Sequence, residues 1–369
     1  MMNKVNQKWL QSQLAQIQPY EPGRPIEEVA RELGLNPVDI HKMASNENPL
    51  GPAPAALEAM KKYASEMYLY PDGGAYHLRQ RLAELYDVPS DWLVLGNGSN
   101  EVLEFIGHCY FAPGRSIVVS AHAFVIYKLI AAMFDTEVIE VPATDNYGHD
   151  LDAMADAVRP DTCAVFVCNP NNPTGTMVGA DDVARLLEKV PNDVLIVFDE
   201  AYAEIALAEM PETKRIIEQN ENTVMLRTFS KAYGLAGLRI GYGLACEEIS
   251  AVLEKARQPF NVNRMAQKAA LAALDDKSFI ERSRELFWEG REVLVAMCEE
   301  LGLEYVPTEA NFILIKVGEG AKITDIFLRD GVIVRPMAGY GLPEFVRVSF
   351  GTAEQNQKVV DEFRKVFAK

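Results

Sequence analysis

Short, strongly apolar runs alternate with helical patterns from residue 92 to residue 244, and this alternation restricts the possible folds more than any other feature of the chain. The runs Trp92–Leu95, Ile117–Val119, Val138–Val141, Ala164–Cys168, Val194–Phe198, Val224–Thr228 and Ile240–Leu244 are too short for helices and carry no continuous polar face. A strand that is apolar on both faces must be covered on both, which describes a parallel sheet wrapped by helices. Glu101–Phe111, Phe124–Phe134 and Ala180–Lys189 supply the covering helices. The expected class is α/β, with a mostly parallel central sheet in a large domain flanked by helices. Ligands of such sheets collect beyond the carboxyl ends of the strands, in the loops that follow.

Beyond a helix beginning near Glu247 the pattern changes. Residues 264–302 read as long amphipathic helices. Strands Phe312–Val317, Val332–Val334 and Phe345–Ser349, helix Ile323–Asp330 and a closing helix Ala353–Phe367 follow. These make a smaller α+β domain at residues 261–369, to which an N-terminal arm, residues 1–40, is assigned. Residues 41–260 form the large domain.

Hydrophobic residues at 49% and charged residues at 24% give the 369-residue chain an ordinary globular balance, which excludes disorder. Lysine and arginine total 36 against 53 aspartate and glutamate, a net charge of −17. Nucleic-acid binding needs a basic surface to release counterions, so no such partner is expected. Any phosphate must be held by a few local groups working against the overall field. The five cysteines and five histidines are dispersed without metal-ligand spacing, so no metal site is expected. No stretch approaches the ~20 apolar residues that span a bilayer, and the first residues lack an apolar signal core. The expected setting is the reducing cytoplasm, with no membrane partner.

Four polar clusters fall at expected strand ends. Gly96-Asn-Gly-Ser-Asn-Glu101 opens a helix, where its glycines allow close backbone approach and Ser99 can cap; free amides there suit an anion. Asn169-Pro-Asn-Asn-Pro-Thr-Gly175 is a rigid turn that places the Asn172 amide. Asp199-Glu-Ala-Tyr202 ends the most apolar strand, and a carboxylate there is costly unless it caps a helix or meets a cation. Thr228-Phe-Ser-Lys-Ala-Tyr-Gly-Leu-Ala-Gly-Leu-Arg239 sets Ser230, Lys231 and Arg239 as polar islands in an apolar loop. Each cluster alone is compatible with plain turn or cap chemistry. Together they match pyridoxal 5'-phosphate: a lysine for the imine, an aspartate for the ring nitrogen, an amide and a phenol for the ring oxygen, and amides, hydroxyl and arginine for the phosphate.

NPNNPTG, DEAY and SKAYGLAGLRIGY, in this order, resemble the fold-type I aminotransferases. SNENPLGP (Ser45–Pro52), YPDGGAYHLR (Tyr70–Arg79), GNGSNE, PFNVN (Pro259–Asn263) and RVSFGT (Arg347–Thr352) are similar to the histidinol-phosphate aminotransferases among them. The resemblance runs from about Tyr20 to Thr352 and implies a transaminase acting on histidinol phosphate and 2-oxoglutarate. It makes Lys231 the Schiff-base lysine and catalytic base, and Asp199 the pyridinium partner. Asn172 and Tyr202 then face the ring oxygen, while Ser230, Arg239 and the segment Gly98, Ser99 and Asn100 bind the phosphate. Phe124 would stack on the ring, although His122-Ala123 stands where the family often has Pro-Thr. Tyr70 would reach the cofactor phosphate of a neighbouring subunit, implying a homodimer. Arg335 and Arg347, with Tyr20 closing over them, would take both the substrate phosphate and the glutamate carboxylate, for which guanidinium forks are suited. By pattern alone Phe124 is a core aromatic, Tyr70 a turn residue, Tyr20 a packed arm residue and either arginine a surface ion pair. An aromatic amino acid aminotransferase is the alternative, followed by a phosphothreonine-type decarboxylase. A non-enzymatic cofactor-binding regulator is a third, for which the arm is too short and too weakly charged.

Overall fold

The structure, a computed structural model, describes residues 12–17 and 23–368. In the arm, α1 (Ile26–Leu33) has Glu27 and Glu28 in its first turn and ends on Gly34 at φ 67°. Acidic residues suit the start of a helix, and glycine takes the left-handed cap without strain. β1 (His41–Lys42), α2 (Pro54–Tyr63) and α3 (Tyr76–Tyr86) follow. Strands and helices then alternate: β2 (Leu93–Gly96), α4 (Ser99–Tyr110), β3 (Ser116–Ser120), α5 (Ile126–Met133), β4 (Glu137–Val141) and α6 (Leu151–Asp156). The alternation continues through β5 (Thr162–Cys168), α7 (Ala180–Lys189), β6 (Leu195–Asp199), α8 (Thr213–Gln219) and β7 (Thr223–Thr228). β8 (Gly241–Ala245), α9 (Glu247–Ala256), α10 (Arg264–Leu274) and the long α11 (Lys277–Leu301) come next. The chain closes with β9 (Tyr305–Val306), β10 (Phe312–Lys316), α12 (Gly320–Arg329), β11 (Val332–Ile333), β12 (Arg335–Pro336), β13 (Phe345–Ser349) and α13 (Ala353–Phe367).

The central sheet has seven strands in the order β2-β8-β7-β6-β5-β3-β4. The run from β7 to β4 is parallel, and β8 is antiparallel to both β7 and β2. Since β2 and β7 both oppose β8, β2 points the same way as the parallel strands. Its carboxyl end therefore reaches the same edge. Parity explains the double cover: Ala164, Phe166, Leu195 and Val197 pack on one face with Ile106 and Tyr127, while Val165, Val167, Ile196 and Phe198 pack on the other with Leu186 and Met154.

The smaller unit is built on the antiparallel sheet β12-β13-β10-β9, with Phe312 and Val348 buried against Phe287 and Leu294 of α11 and Phe363 of α13. Val29, Ala30 and Ile40 of the arm are buried with Ile333 of β11, so the arm is tied to this unit, and the pairing continues past residue 40, where β1 runs parallel to β11 with His41 opposite Val332. Packing changes hands later than residue 260, where the composition shifts. The small side chains Ala266, Ala269, Ala270 and Ala273 of α10 are buried with Leu78, Leu82 and Tyr242 of the large domain, and Ile280 in α11 touches both clusters. An amphipathic helix carries the same periodicity whichever unit it covers, which is why the sequence does not reveal this. Among the described residues no helix is long and apolar enough to cross a membrane.

Candidate active site

Asp199 continues the face of Leu195 and Val197, which turns its side chain toward α5. It is only 3% exposed. The Tyr127 hydroxyl donates to Asp199 Oδ2 at 2.7 Å, whereas Oδ1 is buried and meets no hydrogen-bond partner among the described residues. Burial raises its pKa to about 6 against the pull of that hydrogen bond. A buried carboxylate with one oxygen unpartnered is costly unless a cation or a strong donor meets it.

Lys231 follows β7 in the loop of polar islands. Its Nζ donates to the Ser45 carbonyl at 3.3 Å and lies 5.7 Å from the centre of the Tyr202 ring. Burial first, and then the Arg347 charge, lower its pKa to about 8. The loop is fixed locally: Ser230 N donates to Thr228 Oγ1 at 3.1 Å and Thr228 Oγ1 donates to Ser230 Oγ at 3.0 Å. Tyr202 is buried, and its oxygen accepts from Asn46 Nδ2 at 3.0 Å. Burial raises its pKa, so it stays a neutral phenol.

The amino end of α4 faces the same space. Gly98 is at φ 84°, and a Cβ there would meet Arg239 Nη2 at 2.6 Å, so the guanidinium rests against bare backbone. A Cβ on Gly241 would lie 2.3 Å from Ser99 N, so β8 also approaches this helix end as closely as glycine permits. Ser99 does not cap the helix, contrary to the expectation from sequence. Gly98 occupies the cap position, Ser99 is the first helical residue, and Asn97 N is instead met by Glu101 Oε2 at 2.6 Å. Ser99 and Asn100 are left lining the cavity.

β12 and β13 bring the two arginines together: Arg335 and Arg347 are paired across the antiparallel ladder. Arg347, 6% exposed, lies 5.0 Å from the centre of the Phe312 ring, donates through Nη2 to the Ala44 carbonyl at 2.8 Å, and donates through Nη1 to Asn172 Oδ1. Asn172 therefore keeps its amide N–H groups for a ligand. Ser99, Asn100, Phe124, Asn172, Asp199, Tyr202, Ser230, Lys231, Arg239, Arg335 and Arg347 all line one cavity of about 390 Å³. Gly98 borders it through Arg239.

Of the remaining expected residues, one lies apart from this group and one is not described. Tyr70 is 79% exposed and stacked on Phe260 at 4.9 Å, apart from the cavity of its own chain. Tyr20 lies outside the described residues. Others were missed by residue-level reasoning. Tyr127 sits three residues after Phe124 on a helical face that reads as core, and Asn46 and Glu47 belong to the SNENPLGP segment valued only as a resemblance. Arg227 donates to Glu200 at 2.8 Å and to Glu204 at 3.1 Å, which braces the turn carrying Tyr202.

The arrangement joins an amine with a lowered pKa, a carboxylate with one bare buried oxygen, a glycine-lined helix end with an arginine, and two further guanidinium groups. These residues fit a flat phosphorylated aldehyde, and the fold and site together define a pyridoxal-phosphate type of transferase. Comparison with known proteins agrees. Residues 38–363 match the model of the family described as aminotransferase class I and II, to which the chain belongs. It is 47% identical over 347 residues to the histidinol-phosphate aminotransferase of Akkermansia muciniphila, covering 94% of this chain and 95% of that one. A protein of Ralstonia nicotianae, histidinol-phosphate aminotransferase 2, is 47% identical over 357 residues, with 95% of each chain covered. The crystal structure of histidinol-phosphate aminotransferase from Sinorhizobium meliloti in complex with pyridoxal-5'-phosphate superposes with a TM-score of 0.88 at 27% identity, over 97% of both chains.

Proposed function

We propose that this chain is a pyridoxal-phosphate-dependent transaminase that moves the amino group of histidinol phosphate to 2-oxoglutarate, giving imidazole-acetol phosphate and glutamate, a step in histidine biosynthesis. The observation that carries the reading is the pairing of Arg335 with Arg347 in the cavity that also holds Lys231 and Asp199. Two guanidinium forks suit a substrate phosphate, and the same pair accepts the smaller carboxylate of glutamate. The names of the relatives at 47% identity support the same substrate.

In this reading Asp199 Oδ1 holds the ring nitrogen, the Asn172 amide and Tyr202 hydroxyl donate to the ring oxygen, and Phe124 covers the ring. Ser230, Arg239 and the backbone of Gly98, Ser99 and Asn100 hold the cofactor phosphate. Bound pyridoxal phosphate supplies an electron sink for the pair left at the donor α-carbon. Lys231 Nζ takes the α-proton of the donor, and in the return half-reaction delivers a proton to the α-carbon of the acceptor. With its pKa brought to about 8, a useful fraction of this amine is neutral near physiological pH.

The reading includes a homodimer in which Tyr70 reaches the cavity of the partner. Its support is the exposure of Tyr70 together with Met67, Tyr68 and Leu69, an apolar surface suited to a second copy. It also places the protein in the cytoplasm, where its five free thiols would stay reduced. The test is glutamate formation from histidinol phosphate and 2-oxoglutarate by the purified protein. Lys231→Ala is expected to lower turnover at least about 10³-fold, since it removes both the base and the attachment point. Undiminished turnover in that variant would refute the assignment.

A further inference from the structure

We propose that Tyr127 is a positioning residue that aims the bare oxygen of Asp199 at the cofactor ring nitrogen. The proposal rests on the reading of Asp199 as the ring-nitrogen partner. Tyr127 is 1% exposed on α5, and its ring stacks on Phe166 at 4.9 Å with 21° between the planes. That stacking fixes the direction of the hydroxyl, which donates to Asp199 Oδ2 at 2.7 Å. A carboxylate at a strand end turns freely about its terminal bond unless one oxygen is held. With Oδ2 held, Oδ1 has one direction left. The same ring forms a T-shaped pair with Phe124 at 5.8 Å and 86°, so one side chain braces both the carboxylate and the aromatic that would cover the cofactor.

The hydrogen bond also acts on charge. Burial favours the neutral form of Asp199, and a neutral carboxyl cannot keep a ring nitrogen protonated. The groups that influence its charge are Tyr127 from α5, the backbone N–H of Ala201, Cys168 beside it on β5, Glu200 next in the chain, Tyr202, and Lys231 from the loop after β7. Tyr127 is the side-chain donor that lowers the pKa of Asp199, and Glu200 raises it. Removing the hydroxyl therefore moves protonation of Asp199 to higher pH.

The experiment titrates cofactor-free full-length protein with pyridoxal phosphate from acid to neutral pH, following the visible absorbance of the bound cofactor. Tyr127→Phe keeps the ring and its stacking and removes only the donor. It is expected to weaken binding about tenfold at the acid end and to shift the acid limb of the affinity profile upward, with the melting of the cofactor-free protein followed alongside. In an Asp199→Asn background the same substitution is expected to add less than about twofold, because the carboxylate through which it acts is gone. Profiles of Tyr127→Phe and wild type that superimpose, while Asp199→Asn is impaired, would overturn the role of Tyr127 alone. An undiminished tenfold effect in the Asp199→Asn background would show that the tyrosine acts only through packing and would also overturn it. An Asp199→Asn profile identical to wild type would remove the reading of Asp199 and the proposal with it.

Discussion

A carboxylate with one oxygen held and the other bare, buried to 3% exposure, costs stability until a cation meets it. The pKa of Asp199 is about 6 in the folded protein against the ordinary 3.8. Between these values the folded state binds more protons than the unfolded state, so stability falls as pH rises through that window. Cofactor-free Asp199→Asn is therefore expected to be more stable than wild type by about 3 kcal/mol near pH 7, with most of the gain lost by pH 4. Urea melts at the two pH values measure this, and an equal difference at both would show that ionisation is not its source. Asp199 and Lys231 were legible in sequence because a charged residue inside apolar surroundings needs a reason. Tyr127 was not, because a tyrosine on a helical core face differs from phenylalanine only in where its hydroxyl ends, and that depends on tertiary packing. Ser99 misled for a local reason: the positive φ of Gly98 moves the cap one residue upstream.

At the scale of elements, the close contact between β8 and the amino end of α4 shapes the end of the cavity that the proposed function assigns to the cofactor phosphate. Gly241→Ala would place a Cβ 2.3 Å from Ser99 N and 2.8 Å from the Gly98 carbonyl carbon. Neither is a flexible side chain, so the helix end must move. The expected result is a Kd for pyridoxal phosphate raised about tenfold or more, with the circular dichroism of the fold retained. An unchanged Kd would mean that this helix end does not hold the cofactor phosphate. The strands themselves were legible from their apolar runs, but not the direction of β8. A strand covered on both faces has the same pattern whether it runs parallel or antiparallel, and only its pairing with β2 and β7 distinguishes them.

For the whole molecule, the cavity is assembled from strand ends of the large unit and two arginines of the smaller one, and the Tyr70 of the same chain is absent from it. If two chains share their sites, mixing Lys231→Ala with Tyr70→Ala creates mixed dimers with one doubly damaged site and one intact site. Random exchange is then expected to restore roughly one quarter of wild-type activity, well above the sum of the parents. No recovery after verified exchange would mean that each chain completes its own site. The transferase class was legible across the molecule because its motifs sit at strand ends whatever the substrate. The substrate itself rests on how two arginines from neighbouring strands are presented, which spacing in sequence does not disclose. The most direct measurement compares kcat/KM for histidinol phosphate and for phenylalanine with 2-oxoglutarate as acceptor, in wild type and in Arg335→Ala. Histidinol phosphate is expected to be preferred in wild type, and Arg335→Ala to lower its kcat/KM about ten- to a hundredfold while affecting glutamate less. A wild-type preference for phenylalanine, or an Arg335→Ala variant with histidinol phosphate turnover intact, would contradict the assignment of the anion pocket and of the substrate.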